Sequence, residues 1–122
     1  MFRVLNETKG TVVAERVSVA DAIWSRFWGL MGRRCLPEGH GLLLRPSSSI
    51  HTAFMRFAID VVFLDRQNRV VKVVAGMKPF RLAAALRGGH NALELPAGAA
   101  QGAGVERGDR LVLSAPRIGE DG

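Results

Sequence analysis

A chain of 122 residues, 48% hydrophobic and 23% charged, has the size and composition of one globular domain, which excludes a disordered polymer. Its net charge of +6 rests mainly on 14 Arg, a balance that favours anionic partners without specifying one. A single cysteine, Cys35, excludes an internal disulfide and a cysteine-type zinc site, and no apolar run of about 18 residues is present to span a membrane. The opening MFRVLNETKG lacks the apolar core of a signal peptide, so with Met1 as the natural start a cytoplasmic location is expected.

In chain order, Phe2 to Asn6 and Thr11 to Val17 read as two short strands around a Glu7-Thr8-Lys9-Gly10 turn. Ser18 has the character of an N-cap, with Asp21 three residues on. Ile23, Phe27 and Leu30 then recur on one stripe, so an amphipathic helix is expected over about residues 19–31, stopped by Gly32 and packed against a sheet. Cys35 to Gly41 is a loop, Gly41 to Arg45 a short strand, and Pro46 to Ser49 a polar break before Ile50 to Arg56.

Ile59 to Leu64 concentrates strong β-formers. Side chains alternate faces along a strand, and here both faces are apolar beyond Asp60. Such a strand is covered on both sides, as at the centre of a barrel or a sandwich. Asp65 to Asn68 turns the chain back into Val70 to Ala75, completing a hairpin. Met77 to Gly89 fits either a short helix around Leu82 to Leu86 or a crossover loop. Asn91 to Leu95 is a strand carrying Glu94. Pro96 to Gly104 has room for one helical turn, and Gly108-Asp109 turns into a strand from Arg110 to Ser114. The tail from about residue 118 is expected to fray. With no repeat or internal boundary, residues 1–122 form a single, mainly β (α+β) domain.

Several chemistries need more than the chain offers. Cys35, His51 and Asp60 supply the residue types of a nucleophile triad, but no spacing fixes their geometry. Ser47 to Ser49 lack a nucleophile elbow. His40, His51 and His90 are far apart, so no metal site and no cofactor are expected, and Gly39-His40-Gly41 has neither the glycine spacing nor the lysine of a phosphate loop. Asp60 itself suits either a structural carboxylate held by backbone amides or a base near His51 and Arg56.

Four blocks in order, RFWGLMG (Arg26 to Gly32), FMRFAIDVVFLD (Phe54 to Asp65), LELPAG (Leu93 to Gly98) and GVERGDRL (Gly104 to Leu111), resemble the signature of the domain-of-unknown-function 192 family. On this chain the matching positions are Arg26, Gly29, Leu30, Met31, Phe54, Met55, Ile59, Asp60, Asp65, Glu94, Gly98, Gly108 and Asp109. The resemblance implies a small, partly open β-barrel with a helix against it, and no settled activity. Arg56-Phe57-Ala58 departs from the Lys-Asn-Thr frequent in that family, and so would any contact made there.

The residues support three functional classes. The first is a non-catalytic domain binding a small ligand or a protein, with Arg26, His51, Met55, Arg56, Asp60 and Glu94 around a rim cleft. The second is a hydrolase-like enzyme using His51 and Asp60. The third is a basic nucleic-acid-binding domain. If Arg26, Asp60 and Glu94 form a charge cluster locking helix to sheet, the two acids are paired and dry; if the cleft binds, one of them faces open space.

Overall fold

The computed structural model describes residues 1–20, 36–51, 57–85 and 87–115. The strands are β1 (Phe2–Asn6), β2 (Thr11–Ala20), β3 (His40–Leu44), β4 (Ser49–His51), β5 (Ile59–Leu64), β6 (Val70–Met77), β7 (Leu82–Ala84), β8 (Asn91–Pro96) and β9 (Leu111–Ser114). A short helix, α1 (Ala99–Gly102), follows β8. The helix expected over about residues 19–31 lies, from residue 21, outside the described residues. Its expected cap, Ser18, is strand instead. Val17, Ser18 and Val19 continue the alternation of β2, and pairing with Gly41, Leu42 and Leu43 carries that strand to Ala20.

Seven strands form one curled sheet in the order β6-β5-β8-β3-β2-β1-β9, with β4 and β7 as a separate ribbon. Neighbours in the sheet are antiparallel except β2 and β3, which run parallel. The curl brings the two edge strands together at one end. Arg69 and Arg110 form an isolated bridge. Beside it the Val70 N–H donates to the Asp109 carbonyl at 2.8 Å, the Gly108 N–H to that of Val70 at 2.8 Å, and the Leu111 N–H to that of Asn68 at 2.9 Å. The result is a small barrel stitched at one corner and open along the rest of that seam.

Alternation in β5 serves two cores. Val62 and Leu64 point into the barrel with Val4, Val17, Leu43, Val70, Leu93, Leu95 and Leu111. Ile59, Val61 and Phe63 point outward into a second core with Leu36, Leu44, Ile50, Met77, Ala85 and Ala92. All six residues of β5 are buried, as its two apolar faces require. The β4–β7 ribbon belongs to the layer over this outer core, through Ile50 and Ala83. The Leu-Ala-Ala run of β7 suits a helix by intrinsic propensity, yet its pairing with Ser49–His51 makes it a strand. Gly41 lies between β2 and β8 in the sheet: a Cβ there would lie 3.1 Å from the Glu94 carbonyl oxygen and 3.1 Å from a Leu95 methyl.

Candidate functional site

Asp60, the second residue of β5, points its side chain inward and is fully buried. Its Oδ1 accepts the Gly76 N–H at 2.8 Å, and its Oδ2 accepts those of Gly98 and Ala100 at 3.0 Å each. Gly98, at φ 93°, begins α1 without a capping side chain of its own. Asp60 therefore supplies from a neighbouring strand the acceptor that an N-cap residue normally provides. One carboxylate holds β5, the end of β6 and the turn after β8 together.

Glu94 presents the opposite case. Register places Asp60 beside Leu95 and Val61 beside Glu94, so the two acids project from opposite faces of the sheet. Glu94 lies in a cross-strand row between Leu42 and Val61, 6% exposed. No donor to its carboxyl is found among the described residues. Burial among apolar neighbours pushes that carboxyl up to about 7. Taking a carboxylate out of water is costly, which is why the Glu94 carboxyl holds its proton into the neutral range.

The structure thus does not bring Asp60 and Glu94 into one cluster. His51 ends β4, on the layer over the face that holds Glu94. Arg26, Met55 and Arg56 lie outside the described residues. His40 begins β3 and His90 precedes β8, and no group of three His, Cys, Asp or Glu placed to hold a metal occurs among the described residues.

A third acid, Asp109, organises the stitched end of the barrel. Its Oδ2 accepts from Asn6 Nδ2 at 2.9 Å, Lys9 Nζ at 3.0 Å and the Glu106 N–H at 3.0 Å. Burial pushes this carboxyl up, but the hydrogen bonds from Asn6, Glu106 and Lys9 together hold it below its ordinary value. Lys9 also reaches Glu106 and the Gly104 carbonyl, tying the first hairpin to the last turn. Sequence reasoning saw a Gly108-Asp109 turn there and not the network around it.

Sequence reasoning also passed over a groove of about 650 Å³ beside the first half of β2. Val12 to Glu15 line one side and Pro96 to Ala99 with Gly102 and Ala103 the other. It forms because β3 pairs with β2 only from Arg16 onward, leaving the earlier residues of β2 facing the turn around α1. No sequence motif marks it.

The fold defines a small β-rich domain, a curled and partly open barrel of the kind the sequence pointed to. The chain belongs to the domain-of-unknown-function 192 family, described as "Uncharacterized ACR", whose signature it matches over residues 4–113. A UPF0127 protein of Pyrococcus furiosus is 38% identical over 115 residues, covering 88% of this chain and 95% of that protein. A UPF0127 protein of Thermococcus sibiricus is 34% identical, covering 88% of this chain and 72% of its own length. A crystal structure of a protein of unknown function from Novosphingobium aromaticivorans has the same fold, with a TM-score of 0.80 at 22% identity over 92% of this chain and 84% of that one. No specific activity accompanies the family or these relatives.

Proposed function

We propose that the chain is a non-catalytic binding domain in which Glu94 receives a hydrogen-bond donor from a small ligand, a protonated amine or a hydroxyl. One observation carries this reading: Glu94 is buried on the outer face of the barrel with no donor among the described residues, while Asp60 is saturated by three backbone amides. A ligand that brings a donor offsets the cost of the buried charge. Arg26, His51, Met55 and Arg56 are proposed as further contacts, and Asp60 as the residue that fixes the turn beneath. The lone Cys35 accords with a cytoplasmic setting, since the chain needs no oxidising compartment to fold.

The test is a thermal-shift and NMR screen of small amines and polyols against the wild type and Glu94→Gln, run above pH 8, where Glu94 is charged. Compounds that stabilise the wild type and lose that effect in the variant support the reading. Compounds acting equally on both would overturn it. So would turnover of activated esters that disappears in His51→Ala and Asp60→Asn, because that result assigns the fold a hydrolase.

A further inference from the structure

The outer core covers only part of the barrel: none of its residues comes from β1, β2 or β9. On β1, Val4 points into the inner core, so alternation turns Arg3, Leu5 and Glu7 outward. Register sets Leu5 between Val12 of β2 and Val112 of β9. Val13 and Leu111 belong to the inner core, so Val12 and Val112 share the outer face with Leu5. The three make an apolar row across three strands, and Val12 at its end is 39% exposed. A hollow of about 390 Å³ lies along the row, with Gly10 and Thr11 completing its wall.

Ion pairs bound the row on both sides. Two residues before Leu5, Arg3 Nε meets Glu15 Oε2 at 3.0 Å; two residues after it, Glu7 Oε2 meets Arg110 Nε at 3.7 Å. These four charges sum to zero on a chain whose net charge is +6. Such a surface neither repels another copy of a basic chain nor draws an anionic partner. An apolar centre inside a polar rim is the anatomy of a protein interface. The order of charges also fits itself. A twofold axis along the row reverses the strand direction of a second copy, laying its Arg3 over Glu7 and its Glu7 over Arg3. Each keeps its own partner, so the ion pairs interleave with alternating sign. An axis parallel to the strands sets Glu7 on Glu7 and Arg3 on Arg3, and like charges exclude it.

We propose that two copies of this chain associate face to face through Leu5, Val12 and Val112, about a twofold axis along that row. The interface is isologous, so each of the three side chains meets its own counterpart. The patch is three strands wide, short of the roughly 800 Å² per partner of a stable dimer, so the association is weak and reversible.

The experiment is sedimentation equilibrium of the full chain up to about 1 mM, the weak end of specific association, with the fold followed by circular dichroism. The average mass should rise with concentration toward twice that of one chain. Added salt should raise it further, because it screens the repulsion between two chains of charge +6. Val12→Lys and Val12→Asp, at an exposed strand site, should each weaken association about tenfold or more, because the new charge meets itself across the axis. Mixing the two variants should restore association, since opposite charges then meet. Glu7→Lys, at a side chain 61% exposed, should weaken it by setting a cation over Arg3 of the second copy. A chain that stays monomeric at about 1 mM overturns the proposal. So does self-association unchanged in the Val12 variants, or a mixture that associates no better than either variant alone. Binding of an apolar dye that Val12→Lys removes, without any dimer, overturns it in favour of a small ligand in the hollow.

Discussion

Replacing Glu94 by Gln should stabilise the protein above neutral pH and change little in acid. The carboxyl has its ordinary value of 4.5 when the chain is unfolded and about 7 when buried. The folded state therefore holds its proton more tightly, and stability falls as pH rises between those two values. At about 1.4 kcal/mol per pH unit, the ionised form costs the fold roughly 3 kcal/mol once pH exceeds the folded value. Gln keeps the shape and carries no charge, so it escapes that cost while paying the smaller one of a buried amide. Urea unfolding followed by far-ultraviolet circular dichroism, at about pH 4.5 and about pH 8.5, measures the difference directly. The gap between variant and wild type should widen by roughly 2–3 kcal/mol toward the alkaline condition. A gap constant with pH, or a wild type more stable than Glu94→Gln at pH 8.5, refutes the reasoning, because either result means that a cation already compensates the charge.

Three further outcomes follow from contacts described above. Asp60→Ala leaves three amide donors without their shared acceptor and should cost about 3–5 kcal/mol in the same unfolding assay; a loss below about 1 kcal/mol contradicts the bracing role. Asp109 has a lowered folded value, so its stabilisation is present at neutral pH and lost as pH falls through the acid range below 3.8. The advantage of wild type over Asp109→Asn should therefore disappear on acidification, and an advantage that persists at low pH argues against it. Gly41→Ala forces a Cβ to within 3.1 Å of the Glu94 carbonyl and should destabilise by about 1–3 kcal/mol, read as a lowered Tm.

The fold was legible where local chemistry and tertiary packing agree. The β5–β6 hairpin shows in the sequence because β-branched residues fill both faces of Ile59 to Leu64 and a polar cluster follows. The turn of helix within Pro96 to Gly104 is likewise present, as α1. Agreement ends where pairing decides. Ser18 is chemically a good cap, but hydrogen bonding to β3 extends the strand through it. Leu82 to Ala84 carries no strand signal of its own and becomes one only beside β4. The sequence names Asp60 and Glu94 among its candidate rim residues, yet their relative facing depends on a register of one residue, and the pairing of Asp60 with Leu95 sends the two carboxyls apart. Nor does composition reveal that backbone amides from Gly76, Gly98 and Ala100, distant in the chain, converge on Asp60.

The stitched corner has a consequence for biosynthesis. Arg110 and Leu111 must leave the ribosome before the seam can form, although the strands they join, β1 and β6, were made long before. Until then β1 offers an unpaired edge, the template on which growing chains aggregate. A product ending before residue 110 keeps that edge permanently, and the cell should meet it as a substrate for chaperones and proteases rather than as a shorter working protein.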